Sequence, residues 1–458
     1  MRLAVVLLAA GALSAQLPKD DGYRGIWYFN QPTNDEYVYK YSGGFATYPQ
    51  QHAPIAVYAK PVNKTFFCYG GTMKDTHDRL VHMVSYFDHA TGTVPRPTIL
   101  IDKRTSDAHD NPTIALDDDG YVWVFSSAHG TGRPSFIHRS RKPYSVEDFE
   151  RVLETNFSYT QPWHLPGRGF LFLHTRYRPL PAGNGQGRAL YWMTSADGRS
   201  WSEPRQLAFA EMGHYQVSWP WRDKVGTAFD IHPAPVGLNA RTNLYYAETR
   251  DMGGLWTTVD GRALDLPLTA GHNPALVRDF RSEGLLVYLK DLQYDSSGRP
   301  VVVYLTSKGY APGPANGPYV FWTARWTGTA WLHHRIAEAD HNYDHGSLYL
   351  ESDSAWRFIA PTGAGPHRWS TGGEVEMWVS ADTGATWRKR AALTRQRPLS
   401  HTYVRRPLNA APGFYAIWAD GDPLQPSASS LYFCDRAGRV FRLPAVMAGG
   451  RARPVRVR

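Results

Sequence analysis

The stretch "SADTGATW", residues 380–387, decides the fold, because its pattern occurs three times along the chain. "TRDMGGLW" at 249–256 fits the same pattern, Ser/Thr-x-Asp-x-Gly-x-x-Trp, and "SADGRSW" at 195–201 is the same with one residue fewer. In each copy the Asp and the Ser or Thr can hydrogen-bond the backbone of a turn, while the Trp can pack as an apolar anchor. The three copies therefore predict one kind of β-turn, repeated at equivalent places in successive structural units.

This motif is the Asp-box, or BNR repeat, which is a turn between the outer strands of a propeller blade, with its Trp expected under the next blade. The rest of the chain agrees, because short strand-like segments alternate with Gly, Pro, Asn and Asp and no long helical period occurs. At roughly 60 residues per blade, a mature chain of roughly 440 residues forms about seven blades. We therefore predict an all-β, seven-bladed β-propeller that occupies residues 16–458 as one domain.

The composition limits where the protein works and what it binds. Residues 1–15, "MRLAVVLLAAGALSA", have an early Arg, a short apolar run and small residues before a cleavage point, which predicts a signal peptide and a secreted or periplasmic protein. No later stretch is apolar over the length of a membrane span. The net charge of +9 favours an acidic polysaccharide as partner over nucleic acid, although it can equally serve solubility. The two cysteines, Cys68 and Cys434, are expected to be buried free thiols.

The segment "DAHDNPTIALDDDGYVWVFSSAHG", residues 107–130, reads as one β-hairpin with the turn "DDDG". If Asp117 pairs with Tyr121, the same register places His109 opposite His129 at the open end of the hairpin. Cross-strand neighbours lie roughly 5 Å apart. Two adjacent imidazoles can be an acid and a base, ligands of a metal, or polar caps of a sheet edge. If this hairpin contains the two inner strands of a blade, both histidines lie at a mouth of the central channel.

Several longer motifs carry a family resemblance. They are "DGYRGIWYFNQPTNDEYVYKYSGGFATYPQQHAPIAVY", "KTFFCYGGT", "HDNPTI", "FSSAHGTGRPSFIHRS", "QPWHLPGRGFLFLHTRY", "GHYQVSW", "GLNARTNLYY", "HNYDHGSLY" and "HTYVRRP". In this order, from about residue 21 to about residue 435, they resemble the BNR-type propeller polysaccharide lyases, a group of ulvan lyases and L-rhamnose-α-1,4-D-glucuronate lyases. The resemblance implies cleavage between rhamnose and O4 of a glucuronic acid, in arabinogalactan such as gum arabic or in ulvan.

Elimination at a uronic acid needs a base for the C5 proton, a cation or hydrogen-bond donor for the carboxylate, and an acid for the leaving O4. Histidine suits the first task, arginine the second, and tyrosine or histidine the third. Such a reaction requires no cofactor, although a structural Ca or Zn ion is compatible with it.

The resemblance also implies site residues. His109 and His129 resemble the pair at the catalytic mouth, and Arg188 and Arg241 resemble the arginines that hold the uronate carboxylate. A catalytic tyrosine is expected shortly before the first arginine, and in this chain the matching segment places His174 near that point. Tyr177 just beyond it is expected to bind substrate, as are the neighbours His214 and Tyr215.

Three alternatives remain open from the sequence. Some relatives resemble rhamnosidases that use one histidine of a "YPQQH"-like segment on the opposite face, here His52, which would hydrolyse the same bond. The Asp-boxes also occur in sialidases and in non-catalytic glycan-binding propellers, although "YRGIW" stands where a sialidase would have its Arg-Ile-Pro motif. Finally, His341, Asp344 and His345 could bind a metal, although their spacing fits no common ligand pattern.

Overall fold

The computed structural model describes residues 17–47, 51–180 and 184–458, so the predicted signal peptide lies outside the described residues. Numbered along the chain, the first strands are β1 (Trp27–Pro32), β2 (Tyr39–Gly44), β3 (Ala56–Ala59), β4 (Lys64–Gly71), β5 (Val81–Asp88), β6 (Val94–Pro95), β7 (Thr98–Asp102), β8 (Pro112–Leu116), β9 (Val122–Ser126), β10 (Ser135–Ser140), β11 (Phe149–Thr155), β12 (Ser158–Leu165), β13 (Gly169–Pro179), β14 (Gln186–Ser195), β15 (Arg205–Ala208), β16 (Gln216–Trp221) and β17 (Lys224–Ile231).

The remaining strands are β18 (Thr242–Thr249), β19 (Leu276–Arg278), β20 (Leu286–Tyr294), β21 (Pro300–Ser307), β22 (Tyr319–Trp326), β23 (Trp331–Ala339), β24 (Ser347–Ser352), β25 (Ala355–Gly363), β26 (Glu374–Ser380), β27 (Arg388–Ala392), β28 (Ser400–Arg405), β29 (Ala416–Gly421), β30 (Leu431–Cys434), β31 (Val440–Arg442), β32 (Arg451–Ala452) and β33 (Val455–Arg456). Short 3-10 helices are η1 (Lys60–Val62), η2 (Ala108–Asp110), η3 (Gly237–Ala240) and η4 (Pro314–Asn316).

Seven antiparallel sheets follow one another along the chain, and they confirm the predicted all-β, seven-bladed propeller. Blade 1 contains β3, β4, β5 and β7, blades 2 to 6 take β8 to β27 in consecutive groups of four, and blade 7 contains β28 to β31 with β33 added. The first strand of each blade is innermost, and the innermost strands of blades 1 to 6 contact one another in sequence around the channel. We call the channel end at which these strands begin the upper mouth.

The core lies between the blades. Successive side chains of a strand point to opposite faces of its sheet, and those that face a neighbouring blade bring aromatic rings together there. Five tryptophans there are fully buried, namely Trp123, Trp163, Trp256, Trp356 and Trp418. The two ends of the chain join the ring, because β32 pairs with β6 and the Tyr23 amide donates to the Pro444 carbonyl at 2.9 Å. Cys68 and Cys434 are buried free thiols, as predicted.

The Asp-boxes lie between the third and fourth strands of blades 3, 4 and 6, as predicted. In the blade 6 copy, Ser380 Oγ donates to Asp382 Oδ1 at 2.7 Å, and the amide of Thr386 donates to the same oxygen at 2.9 Å. The tryptophans do not pack under the next blade as expected. Trp256 of blade 4 contacts Trp192 of the preceding blade at 5.5 Å between ring centroids.

The hairpin of residues 107–130 has the predicted register. Its strands β8 and β9 pair Leu116 with Val122 and Pro112 with Ser126. The turn is closed by Asp117, whose carboxylate accepts from the amide of Tyr121 at 2.7 Å and from Trp123 Nε1 at 2.8 Å. The open end of the hairpin, with both histidines, therefore lies at the upper mouth. Among the described residues, no helix has the length and apolar character needed to cross a membrane.

Candidate active site at the upper mouth

The two histidines of the hairpin stack on each other at the upper mouth. Their ring centroids lie 4.2 Å apart with an interplanar angle of 16°. His109 lies in η2, and His129 follows β9. Asp107, which precedes η2, joins the two rings, since one carboxylate oxygen lies 2.6 Å from His109 Nδ1 and the other 2.7 Å from His129 Nδ1. The pair is therefore a hydrogen-bonded triad organised by one carboxylate.

Asp107 remains ionised in this setting. Burial opposes its charge, but His109 and His129 both hydrogen-bond the carboxylate and hold the pKa of Asp107 far below its usual range. Arg133 adds an ion pair at 3.3 Å and also binds Asp110 through Nε at 2.9 Å. Asp110 in turn accepts from the His129 amide at 2.7 Å. This support fixes both the carboxylate and the loop that carries His129.

His109 is enclosed and fully hydrogen-bonded. It is 4% exposed, and the hydroxyls of Tyr28 and Tyr41 lie 3.0 Å from its Nδ1 and 2.9 Å from its Nε2. Burial and the charge of His129 lower the pKa of His109 to about 4. The ring is neutral near pH 7, and both nitrogens are occupied. His109 is therefore arranged to position its neighbour and not to exchange protons with a ligand.

His129 is the accessible member of the pair. Its side chain is 26% exposed, its Nδ1 is held by Asp107, and its Nε2 has no hydrogen-bond partner within the described part of the chain. An ionised carboxylate on Nδ1 fixes the tautomer in which Nδ1 carries the proton and Nε2 has the free lone pair. His129 is therefore arranged as a general base that faces the mouth.

Tyrosine and arginine side chains of blades 3 and 4 form the wall beside His129. The Tyr177 ring lies 5.7 Å from the His129 ring, and the Arg188 guanidinium lies 5.1 Å from the Tyr177 ring and 5.2 Å from that of Tyr215. The hydroxyls of Tyr159 and Tyr215 are 3.2 Å apart. Burial raises the pKa of Tyr177 to about 12, although Arg188 partly opposes the shift. Tyr177 is thus a protonated phenol next to the base.

Three cations converge on the inner side of this wall. Arg241 donates to the Tyr343 hydroxyl at 3.1 Å and lies 5.0 Å from the Tyr215 ring, which Arg188 also contacts. Lys40 of β2 is buried and donates to Asn239 Oδ1 at 2.6 Å. Burial and the charges of Arg241 and Arg188 hold the pKa of Lys40 well below its usual range. Within the described ranges, none of the three has an acidic partner within ion-pairing distance, which favours an anionic ligand here.

The structure does not bring His174 and His214 to this site. The His174 ring is fully buried within blade 3, 4.9 Å from the Phe172 ring, because its position on β13 points into the sheet interface. His214 Nδ1 faces the Asp230 carbonyl at 2.6 Å, and its Nε2 accepts from the Ala210 amide at 2.9 Å. Both ring nitrogens of His214 are therefore hydrogen-bonded to backbone groups. The expectation of a catalytic His174 and a substrate-binding His214 needs correction, whereas Tyr215 lies at the mouth.

His52 lies deeper, inside the channel. It is fully buried, its Nε2 is 2.8 Å from Ser127 Oγ, and the preceding residues 48–50 lie outside the described residues. The cavity beside it has a volume of about 20 Å³, which holds about one water molecule. No carboxylate within the described ranges forms an ion pair with His52. The described residues around His52 therefore leave room for a water molecule and not for a sugar ring.

Two groups of residues are candidate metal ligands. Asp107, His109 and His129 offer ligand atoms within 4.8 Å of one another. However, both Nδ1 atoms are already hydrogen-bonded to the Asp107 carboxylate, at 2.6 and 2.7 Å, and are not open to a metal in this arrangement. His341 and His345 of the second predicted group do not converge, since His345 Nε2 accepts from Arg405 at 2.9 Å and His341 Nδ1 accepts from the Tyr343 amide at 3.1 Å.

Sequence reasoning missed several residues of this site. Asp107 stands two positions before His109, and that spacing within one turn was the available signal. Tyr28, Tyr41 and Lys40 come from a hairpin far away in sequence, for which no local signal exists. His232 was also missed; it is fully buried against the Tyr215 ring at 5.0 Å, and neither ring nitrogen has a hydrogen-bond partner among the described residues.

Comparisons with known proteins agree with this arrangement. A family described as "BNR repeat-containing family member" matches residues 98–339. An ulvan lyase of Nonlabens ulvanivorans is 24% identical over 431 residues, which cover 84% of each chain. A second ulvan lyase, from Pseudoalteromonas sp. (strain PLSV), is 22% identical over 61% of this chain and 64% of its own.

Solved structures share the fold. A structure described as a new family of polysaccharide lyase, PL25 ulvan lyase, superposes with a TM-score of 0.72 at 15% identity, over 92% of this chain and 96% of that chain. The same lyase bound to -[GlcA(1-4)Rha3S]- gives the same values. The predicted resemblance to the BNR-type propeller lyases is thereby confirmed, and the matched residues span more than half of the chain. The protein belongs to the BNR repeat-containing family.

Proposed function

We propose that the protein cleaves the L-rhamnose-α-1,4-D-glucuronate linkage of an acidic polysaccharide by β-elimination. The broader prediction, a polysaccharide lyase, is confirmed by the ulvan lyases that it resembles. The observation that carries the finer proposal is His129, whose free Nε2 lies beside a protonated tyrosine and two arginines without acidic partners.

The reaction uses these groups in one step. His129 Nε2 takes the C5 proton of the uronate, and the electrons of that C–H bond form the C4=C5 double bond. The C4–O4 bond breaks, and O4 takes the proton of the Tyr177 hydroxyl. Proton transfer through solvent then returns His129 and Tyr177 to their starting states. No water is consumed, and no redox group takes part.

The arginines stabilise the charge that develops on the carboxylate. Removal of the C5 proton moves negative charge onto the uronate group, and cations placed beforehand stabilise it without reorganisation. Arg188 and Arg241 both lie against Tyr215, at 5.2 and 5.0 Å from its ring. A guanidinium can bind a carboxylate with two parallel hydrogen bonds. Binding of an anion beside Lys40 favours the charged form of its amine, which burial and the two arginines oppose in the free protein.

The stereochemistry of the substrate fits neighbouring acid and base groups. In D-glucuronate the C5 hydrogen and O4 lie on the same face of the sugar ring, so base and acid must approach from one side. The rings of His129 and Tyr177 are 5.7 Å apart on one wall of the mouth. Tyr177 lies on the same wall as the base, whereas His174 is buried within blade 3, and this supports Tyr177 as the acid in place of His174.

The partner and the location follow as part of this proposal. A net charge of +9 and a cationic mouth suit an acidic polysaccharide, either sulphated as in ulvan or unsulphated as in arabinogalactan. Such polymers are extracellular, which agrees with a signal peptide at residues 1–15 and with secretion or export to the periplasm. Neither hydrolysis at His52 nor glycan binding without catalysis has a specific observation in its favour.

The product distinguishes these functions. The purified protein is incubated with ulvan and with gum arabic, and ultraviolet absorbance and product mass are recorded together. Elimination creates a conjugated unsaturated uronate, so absorbance rises and the product is one water lighter than the hydrolysis product. Release of a saturated uronate with constant absorbance would contradict elimination, and binding without any product would indicate a non-catalytic glycan-binding protein.

A further inference from the structure

The hairpin of β1 and β2, residues 27–44, lies across the upper mouth and is not part of any blade. At its base, the Trp27 amide donates to the His77 carbonyl of blade 1 at 2.8 Å, and Trp27 Nε1 donates to the Asp422 carbonyl of blade 7 at 3.0 Å. Gly44 approaches Gly421 so closely that a Cβ on Gly421 would lie 1.8 Å from the Gly44 amide nitrogen. The base is therefore fixed rigidly to the seam between blades 7 and 1.

The far end of the hairpin is fixed to the opposite side of the ring. Lys40 donates to Asn239 of blade 4, and the Tyr37 ring packs on the backbone of Gly313 in blade 5, where a Cβ would lie 2.8 Å from the ring. In a seven-membered ring, blade 1 faces blades 4 and 5. An element that contacts blades 7 and 1 at one end and blades 4 and 5 at the other must therefore span the mouth.

The side of the hairpin toward blade 6 is filled. The Tyr41 ring stacks on that of Tyr343, with centroids 3.9 Å apart and an interplanar angle of 17°. His341 and Asp344 beside it are buried. The partly exposed groups of the site, His129, Tyr177 and Arg188, all lie on the other side, in blades 2 and 3. The open approach to His129 therefore lies on the side of blades 2 and 3, with the buried Arg241 and Tyr215 of blade 4 at its inner end.

The hairpin also carries charge that suits a barrier to a polyanion. Its turn has two exposed acidic residues, Asp35 and Glu36, whereas the groups that face the site are Lys40, Tyr28 and Tyr41. An acidic chain is attracted into the site and repelled at the turn.

We infer that the hairpin of residues 27–44 ends the substrate cleft on one side, so that the protein binds the ends of acidic polysaccharide chains and removes one small sugar fragment at a time. This inference rests on the proposed function for its substrate class. In this inference, the hairpin is the element that restricts cleavage to the ends of a chain and prevents cleavage of internal bonds. Internal bonds of a long chain cannot reach His129, because the chain would have to pass through the hairpin.

The experiment follows product size from the first minutes of digestion by size-exclusion chromatography and mass spectrometry, together with the viscosity of the polymer solution. The wild-type protein is compared with a variant in which residues 33–38 are replaced by Asn-Gly, a two-residue turn that keeps Lys40, Tyr41 and Tyr28. We expect one small fragment and a slow fall in viscosity from the wild type, and mixed oligosaccharides with a rapid fall from the variant. Early mixed oligosaccharides from the wild type, or one small fragment from both proteins, would overturn the inference.

Binding provides a readout that does not need turnover. His129→Ala protein is titrated with ulvan fractions of increasing chain length, and the number of protein molecules bound per chain is measured. Binding at chain ends keeps this number constant as length increases, whereas binding along the chain makes it rise with length and would overturn the inference. If no polymer is cleaved at all, the proposed function fails, and this titration still decides the role of the hairpin.

Discussion

The upper mouth and the channel interior contain the same kinds of residues and differ in what those residues contact. At the mouth, His129 has a free Nε2, and Arg188 and Arg241 have no acidic partner within the described chain. In the interior, beside His52, Arg406 forms an ion pair with Asp291 at 3.3 Å and lies 3.8 Å from the Trp219 ring. Arg405 is bound to His345.

The difference shows that histidine and arginine become functional where the fold leaves one of their bonding positions open to a ligand. The interior satisfies its charges within the protein and leaves about 20 Å³ of space. The mouth has three cations, a base and a phenol around an opening. Function therefore belongs to the mouth and stability to the interior, and each of the following variants tests that division.

The largest effect is expected for His129→Ala. Loss of the base should lower kcat on ulvan or gum arabic about 10³-fold, measured as the initial rise in ultraviolet absorbance. The matched change in the interior is His52→Gln, which keeps a hydrogen-bonding group near Ser127 and should leave the rate nearly unchanged. A comparable loss of rate in both variants would erase the distinction between the two regions.

Arg188→Ala is expected to lower kcat/KM by about 10²-fold to 10³-fold, because the developing carboxylate charge loses a cation. Its counterpart is Arg406→Ala, which leaves Asp291 buried without its partner. That variant should retain the wild-type rate constants and lose about 3–5 kcal/mol of unfolding free energy, measured by urea denaturation. The account would be contradicted if Arg188→Ala lost stability instead of activity.

Asp107→Asn should lower kcat by about 10²-fold with little change in KM, because the amide cannot accept from both histidines as the carboxylate does. Asp107 contacts no substrate and acts by positioning, so KM is the diagnostic quantity. Steady-state kinetics of the two proteins give both constants. A rise in KM at constant kcat would instead place Asp107 in substrate binding.

The smallest effect is expected on the pH dependence of stability, and it involves histidines both at the mouth and within the blades. Burial lowers the pKa of His109 and of His214 to about 4 and that of His174 to about 3, below the usual 6.5. Between pH 4 and 6.5 the unfolded chain therefore binds more protons than the folded protein, and the unfolding free energy rises with pH in that window. Urea midpoints that fall as pH rises from 4.5 to 6.5 would contradict this assignment.

The fold could be predicted because its signals are local. The three Asp-boxes and the turn at Asp117 fix strand ends through hydrogen bonds within a few residues, and the register that follows brings His109 to His129. The site could be predicted in part. Residues on one hairpin follow from its register, but Tyr28, Tyr41 and Lys40 reach the mouth through a long-range packing of β1 and β2 on blades 1, 4 and 7.

The error at His174 has a simple physical cause. Successive side chains of a strand point to opposite faces, so a shift of three positions between His174 and Tyr177 exchanges the blade interface for the mouth. A motif comparison cannot resolve that shift, whereas the pairing of β13 with β14, which sets Tyr177 opposite Arg188, does so directly.

The central claim is that His129 removes the C5 proton of a uronate, and an isotope effect tests it most directly. Substrate deuterated at C5 is compared with ordinary substrate, using the wild-type protein and Asp107→Asn, in which proton removal is slow. The account predicts a primary isotope effect on the rate of absorbance increase, clearest in the variant. Equal rates for the two substrates with both proteins would show that removal of this proton does not limit the rate even when Asp107 is replaced, and would contradict the assignment of His129, held by Asp107, as the base.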